Sequence, residues 1–495
     1  MTIDHVALLP VYLAAGTAVL VLLADLILAR PAATLAAGLL GATATGVAAA
    51  LIPTDGDRVS FCAEGGCSWQ FDRPAALLAV AIAALTAVVL LLSAPTLLAR
   101  HVPSGEYAFL LTASMTGGVA LGGARDVITL IVALETLTLP LYVLVGLRRT
   151  ERRSAEAAVT FLLTSVAATA VTLLGAALMY AATGAVHFRQ LSTALDVEGP
   201  GRPLAGAGLL LMLVGLAFKV AAVPAHAWAP GTYDGAPLPV AAYLSTASKL
   251  GGLFAIVYVL VGAGPAWAHV AGPVVGIVAA ATLVVGTLVA LRQRRMVRLI
   301  AWSSVAQAGF MLAPLAALHV ADLSVLLPAT IAYALIYVTV EMGAFAGVIA
   351  LRPVGDDGGS LADYAGLGRV APWRSAAFAF AMIGLAGLPP ALAGLFAKVF
   401  VFRALVDAKA WVVVAAAALA AVVGLAVYLR AILPLYRGGV LAAEVGPAET
   451  APREVVNGSV LLRTPITVAV ALTLVTLVAV VAGFAPQAIL DLATF

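Results

Sequence analysis

The sequence predicts an all-α integral membrane protein of about fourteen transmembrane helices. Composition is the first observation behind this: of 495 residues, 63% are hydrophobic and only 10% charged, and the mean hydropathy is +1.10. A chain of that length cannot keep its surface wet on so few charges, so its solvent is lipid. The second observation is that apolar stretches of helix length alternate with short connections rich in Arg, Pro and Gly. The third is that a few ionisable residues lie inside those stretches, where each costs at least roughly 2.5–3.5 kcal/mol and needs a reason to be there.

Taken in order, the spans are 5–28, 31–52, 74–99, 107–122, 126–147, 155–183, 204–223, 238–263, 268–291, 298–319, 324–351, 373–402, 410–436 and 464–486. The N-terminal text MTIDHVALLP carries an acid and a His rather than a basic leader, so His5 to Leu28 reads as a retained first helix. Basic residues set the orientation. Connections after odd-numbered spans hold sixteen, among them Arg148, Arg149, Arg152, Arg153, Arg292, Arg294, Arg295 and Arg298; those after even-numbered spans hold seven. The positive-inside bias then puts odd-span ends in the cytoplasm and both termini outside. The longest polar connections are 184–203, 352–372 and 437–463, and the last has room for a helix lying along the membrane surface.

The same inventory excludes several classes. A net charge of +3 without a basic tract gives no nucleic-acid surface. Two cysteines cannot hold a four-thiolate iron–sulfur cluster, and six scattered histidines argue against haem or zinc. Cys62 and Cys67 fall in an outside connection; a local structural disulfide and two free thiols both fit.

Five intramembrane ionisable residues stand out: Glu135, Lys219, Lys249, Glu341 and Lys398. Snorkelling suits residues at helix ends, but Glu135 and Lys249 sit in mid-span. One structural ion pair would leave three residues unexplained. A buried Lys loses affinity for its proton through desolvation, and a nearby carboxylate reverses that loss. A lysine whose glutamate approaches and retreats is therefore a proton-loading switch. Pro224 follows Lys219 by five residues, and Pro389 and Pro390 precede Lys398. Proline frees backbone carbonyls in mid-membrane, so spans seven and twelve are expected to be broken. Breaks five spans apart are what two inverted five-helix repeats give. The expected units are 1–106 (spans one to three), 107–263 (spans four to eight), 264–436 (spans nine to thirteen) and 437–495.

At these residues the chain resembles a known family. FKVAAVPAHAWAPGTYDGAPLPVAAYLSTASKLGG (218–252), LIAWSSVAQAGFML (299–312) and LETLTLPLYVLVGLRR around Glu135 look like the antiporter-like membrane subunits of respiratory complex I. The text is most similar to the N-type subunits of bacterial NADH-quinone oxidoreductase; subunits of multisubunit sodium/proton antiporters are the alternative. The resemblance covers spans four to thirteen. It implies that Glu135 tunes Lys219, that Lys249 passes protons along the membrane plane, and that Lys398 serves a second half-channel. His226 would bridge the first two lysines through water. Two positions depart from the pattern. Thr160 stands where many N-type subunits carry a lysine. Glu341 stands where relatives are neutral, and is expected either to partner Lys398 or a water wire in the second half, or to pair with nothing of weight.

The implied function is proton translocation within a complex I-type enzyme, with no redox chemistry and no bound cofactor in this chain. NADH, FMN, iron–sulfur clusters and quinone would belong to partner subunits. The partners implied are the other membrane subunits (M-, L-, K-, J-, A- and H-type) and the lipid bilayer, and the implied location is the bacterial inner membrane.

Overall fold

A computed structural model describes residues 3–54, 58–63, 66–100, 102–148, 151–196, 201–264, 267–437 and 464–494. Almost all of them are helical, and twelve helices are long and apolar enough to cross a membrane. Leu26, Val412 and Ile466 are 81%, 79% and 82% exposed on the outer face of the bundle, an arrangement that lipid rewards and water does not.

Helices α1 (Leu9–Leu28) and α2 (Pro31–Leu51) pack together and lead into an antiparallel hairpin, β1 (Arg58–Ala63) and β2 (Gly66–Phe71). This hairpin replaces what the sequence presents as an irregular connection. Cys62 and Cys67 are directly opposed in its register and joined by a disulfide; Glu64 and Gly65 lie outside the described residues. Next come α3 (Arg73–Leu98), α4 (Ser104–Gly122), α5 (Val127–Val145) and α6 (Arg152–Thr183). Asp72 and Asp126 cap α3 and α5, accepting from the N–H groups of Ala75 (3.1 Å) and Thr129 (2.7 Å), which the first turn of a helix leaves without partners.

The hairpin ties the connections of one end together. The Gln70 N–H donates to the Gly123 carbonyl (2.8 Å) and the Arg125 N–H to the Ser68 carbonyl (2.9 Å). The Trp69 indole N–H donates to the Ala120 carbonyl (2.8 Å), Arg125 pairs with Asp72, and Asp126 bridges to His187. Connections following α2, α4 and α6 therefore meet at the same end.

A short helix, α7 (Phe188–Asp196), occupies part of the polar 184–203 connection. Helix α8 (Arg202–Lys219) stops at Lys219 rather than at 223, and after the break the chain resumes as α9 (Trp228–Gly235). The expected span 238–263 is α10 (Leu238–Tyr243), a π-helical turn (Leu244–Ser248) and α11 (Lys249–Ala263) in series. Helices α12 (Ala268–Ala290), α13 (Met296–Leu312) and α14 (Leu323–Leu351) follow, then the short α15 (Leu367–Val370). The expected twelfth span is two helices, α16 (Pro372–Ala386) and α17 (Leu392–Asp407). The chain finishes with α18 (Trp411–Tyr436), α19 (Ile466–Phe484) and α20 (Pro486–Leu492). The expected surface helix falls at 438–463, outside the described residues. Neither α4 nor the α16–α17 pair is among the twelve apolar helices, so a count of fourteen is reached only by adding them.

The opposite end is held by ion pairs. Arg295 bonds Asp234 (2.8 Å) and Asp357 (2.9 Å), Arg352 clasps Asp356 through two nitrogens (3.0 Å each), and Arg148 donates to the Asp356 carbonyl (2.9 Å). Burial pushes the Asp357 carboxyl up, but the Gly359 N–H and the Arg295 guanidinium outweigh it and hold that carboxyl below its ordinary value. Between the two ends, 94% of the residues in the apolar stretches of Leu238–Ala263 and Met296–Ala317 are buried, against 22% in that of Arg152–Thr183. Helices α10, α11 and α13 are thus the centre of the bundle, and Lys249 starts the helix at that centre.

Non-reduced protein is expected to show no reactive thiol in a free-thiol count, and both cysteines should become reactive after reduction. Two reactive thiols without reductant would contradict the disulfide.

Candidate functional site

Small residues bring the first charged pair together. Helix α8 runs close against α6 where Gly208 meets Gly175; a Cβ on Gly208 would lie 2.7 Å from the Gly175 carbonyl oxygen. That closeness delivers Lys219, the last residue of α8, into the space between α5 and α6. Its Nζ donates to Glu135 Oε1 (2.8 Å), Thr138 Oγ1 (3.1 Å) and Ser165 Oγ (3.2 Å). The Thr169 hydroxyl donates to the same Glu135 oxygen (2.7 Å), and Tyr142 donates to Ser165 (2.6 Å). The lysine side chain is 4% exposed and the glutamate 20%, so one partner is sealed and the other reaches the bundle surface. All three Lys219 donors are satisfied, as a buried ammonium requires.

The break after Lys219 is satisfied from elsewhere in the fold. The Val223 N–H donates to Thr282 Oγ1 on α12 (2.9 Å), and the Trp228 indole donates to the Phe218 carbonyl (3.1 Å). Non-helical backbone is tolerated in a membrane protein only where protein or water supplies such partners.

Lys249 lies on the neighbouring element. Gly252, three residues further along α11, abuts Lys219: a Cβ there would be 2.8 Å from the Lys219 Cβ. The Lys249 Nζ donates to the Ser304 carbonyl and to Ser304 Oγ (2.6 Å each), and lies 5.6 Å from the centre of the Tyr337 ring. Ser304 Oγ shares a hydrogen bond with the Tyr337 hydroxyl (2.7 Å), which also donates to the Ser245 carbonyl in the π-helical turn (2.9 Å).

Lys398 sits beyond the second break. Its Nζ donates to the carbonyl of Ala386 (2.5 Å), the last residue of α16, and lies 5.1 Å from the centre of the Phe310 ring. Gly387 makes this possible. It adopts φ = 77°, and a Cβ there would lie 2.7 Å from the Lys398 Cδ. A polar chain joins this break to α13 and α14. Gln307 Nε2 donates to the Leu385 carbonyl (3.1 Å) and to the Tyr428 hydroxyl (2.6 Å), Tyr333 donates to Gln307 Oε1, and Tyr428 shares a hydrogen bond with Ser303 (2.7 Å).

Two expectations fare differently. His226 is half-buried; its Nδ1 meets the Pro224 carbonyl (3.2 Å) and its ring packs edge-on against Trp302 (5.3 Å between centres). It makes no hydrogen bond to either lysine among the described residues. Glu341 is fully buried on α14, but its electrostatic partner is Lys249, and Lys398 has no such interaction with it. Of the alternatives the sequence left for Glu341, pairing with Lys398 is not what the structure shows; its opposite charge is Lys249, across the α14–α11 contact. The residues that sequence reasoning missed are the hydroxyls and the amide around the lysines: Thr138, Ser165, Thr169, Ser304, Tyr337 and Gln307. Ser304 and Gln307 lie inside LIAWSSVAQAGFML, where the spacing of small polar residues in an apolar run was the available signal.

Residues 124–424 match the family described as the transmembrane region of NADH:quinone oxidoreductase and Mrp antiporters. The chain is 54% identical to subunit N of NADH-quinone oxidoreductase from Salinispora tropica, over 99% of each chain. It belongs to the subunit N family of NADH-quinone oxidoreductase. A chain of respiratory complex I from Thermus thermophilus superposes with a TM-score of 0.78 at 28% identity, covering 98% of this chain and 100% of that one. A chain of the Mrp complex from Dietzia sp. DQ12-45-1b superposes with a TM-score of 0.80 at 21% identity, covering 98% of this chain and 96% of that one, a likeness of fold alone. Subunit N membership accounts for a chain whose ionisable groups are gathered at helix breaks, with no group of three or more His, Cys, Asp or Glu placed to hold a metal among the described residues.

Gly252→Ala is expected to push against Lys219 and cost about 1–3 kcal/mol through overpacking. The checks are a lowered melting temperature of the purified complex and reduced NADH-driven proton uptake into liposomes.

Proposed function

We propose that this chain translocates protons as a membrane subunit of a complex I-type NADH-quinone oxidoreductase, through a relay of Glu135, Lys219, Lys249 and Lys398. The observation that carries the relay is the Glu135–Lys219 pair: a sealed lysine held at 2.8 Å by a carboxylate that reaches the bundle surface. With Glu135 close, the ammonium keeps its proton. When Glu135 withdraws, desolvation favours the neutral amine and the proton leaves. Lys249 is the next group inward, brought near by Gly252, and Lys398 serves the far break. His226 lines the first break and bridges Lys219 and Lys249 through water.

Electron transfer from NADH to quinone takes place in partner subunits, which hold FMN, the iron–sulfur clusters and the quinone; M-, L-, K-, J-, A- and H-type membrane subunits are the neighbours. The chain lies in the bacterial inner membrane with both termini on the outer face. Residues 107–263 and 264–436 form two inverted repeats, each with one broken helix beside a lysine. The alternative of a sodium/proton antiporter subunit is supported by likeness of fold alone.

Lys219→Ala and Lys398→Ala should each assemble into the complex and lower NADH-driven proton uptake by roughly tenfold or more. Normal pumping by assembled Lys219→Ala would overturn the relay, and normal pumping by Lys398→Ala would confine it to the first repeat. Sodium-dependent exchange without NADH would favour the antiporter alternative.

A further inference from the structure

On α14, Tyr333, Tyr337 and Glu341 recur at intervals of four residues and so share one helix face. That face looks onto α13 and the π-helical turn: Tyr333 bonds Gln307, and Tyr337 bonds Ser304 and the Ser245 carbonyl. Glu341, the third member, is fully buried, and neither carboxylate oxygen closes a hydrogen bond among the described residues. The Tyr337 hydroxyl, one helical turn away, interacts with the Glu341 carboxyl, while its own hydrogen bonds go to Ser304 and the Ser245 carbonyl. Tyr233, Tyr333 and Tyr428 also interact electrostatically with Glu341. The charged group of opposite sign is Lys249. A sealed carboxyl left without hydrogen bonds is expensive as a permanent structural feature, and here it stands one hydroxyl away from a chain that ends on a lysine.

We infer that Glu341 is a second proton-holding carboxyl, exchanging one proton with Lys249 through Ser304 and Tyr337. This rests on the relay reading above and adds a carboxyl–lysine pair at the centre of the bundle. The transfer balances. Lys249 Nζ gives a proton to Ser304 Oγ, Ser304 gives its own to the Tyr337 oxygen, and Tyr337 gives its own to Glu341. Both hydroxyls end as they began, the ammonium becomes an amine and the carboxylate becomes an acid. The pair is neutral before and after. The exchange therefore moves a proton between α11 and α14 without leaving net charge in the core, which desolvation would penalise.

The test uses the whole complex in liposomes, with Lys219→Ala as the control for the relay. Glu341→Gln keeps the shape and cannot hold the proton; it should assemble and lower NADH-driven proton uptake by roughly tenfold. Tyr337→Phe, which removes only the bridging hydroxyl, should do likewise, and the double variant should be no worse than either. Infrared difference spectra should contain a protonated-carboxyl carbonyl band that Glu341→Gln removes, a change that a merely structural role would not produce. Assembled Glu341→Gln that pumps normally while Lys219→Ala does not would overturn this inference and leave the relay standing. If Glu341→Gln fails to assemble, normal pumping by Tyr337→Phe overturns it.

Discussion

A positive charge inside a lipid-surrounded bundle must be answered within the protein, and the architecture follows from how each lysine is answered. Lys219 has a carboxylate and two hydroxyls, Lys249 a carbonyl and a hydroxyl, and Lys398 a carbonyl. The carbonyl at Lys249 belongs to Ser304, inside the unbroken α13, whereas the one at Lys398 belongs to Ala386, where α16 ends. The breaks shape the sites of Lys219 and Lys398. Lys219 is the last residue of α8, and Lys398 reaches to the last residue of α16. Both cations thus lie at the carbonyl end of a helix segment, where the peptide dipoles favour positive charge.

The order along the chain differs between the two. Lys219 precedes its break, whereas Lys398 follows its break and folds back across Gly387. Small residues make both arrangements possible. Gly175 and Gly208 let α8 approach α6, Gly252 lets α11 approach Lys219, and Gly387 turns the chain where Lys398 lies against it. Packing at glycine contacts, without a hydrophobic drive between helices in lipid, is the general solution for membrane bundles. Here it also sets how far each proton would have to travel.

The fold class was legible because lipid leaves a strong compositional mark, and the two breaks were legible because proline interrupts helix hydrogen bonding wherever it falls. The intramembrane lysines and glutamates were legible because charge is rare there. Of their partnerships, Glu135 with Lys219 was legible through the resemblance, and that of Glu341 was not. Nothing local shows that Glu341 faces Lys249 rather than Lys398; that follows from which face of α14 meets α13. The end of α8 was hidden because Val220, Ala221, Ala222 and Val223 continue the apolar run, while the groups that satisfy the break, Thr282 and Trp228, come from other elements. The hairpin was hidden for the same reason. Its strands read as a polar connection, and their outer bonds go to Gly123 and Arg125, residues distant in sequence. The π-helical turn before Lys249 adds one residue to a turn of otherwise ordinary composition and leaves no mark in the text.

The hairpin and the opposite end also differ in the kind of bond that closes them. One end is clasped by backbone hydrogen bonds and a covalent bridge, joined by an ion pair. The other also has backbone bonds, between 294–296 and 359–361, but adds the pairs of Arg295 with Asp234 and Asp357 and of Arg352 with Asp356, partly open to solvent. Mobile ions weaken exposed charge pairs and leave covalent and backbone bonds almost untouched. Raising ionic strength therefore acts unevenly, weakening the arginine–aspartate pairs of one end while the covalent bridge of the other is untouched.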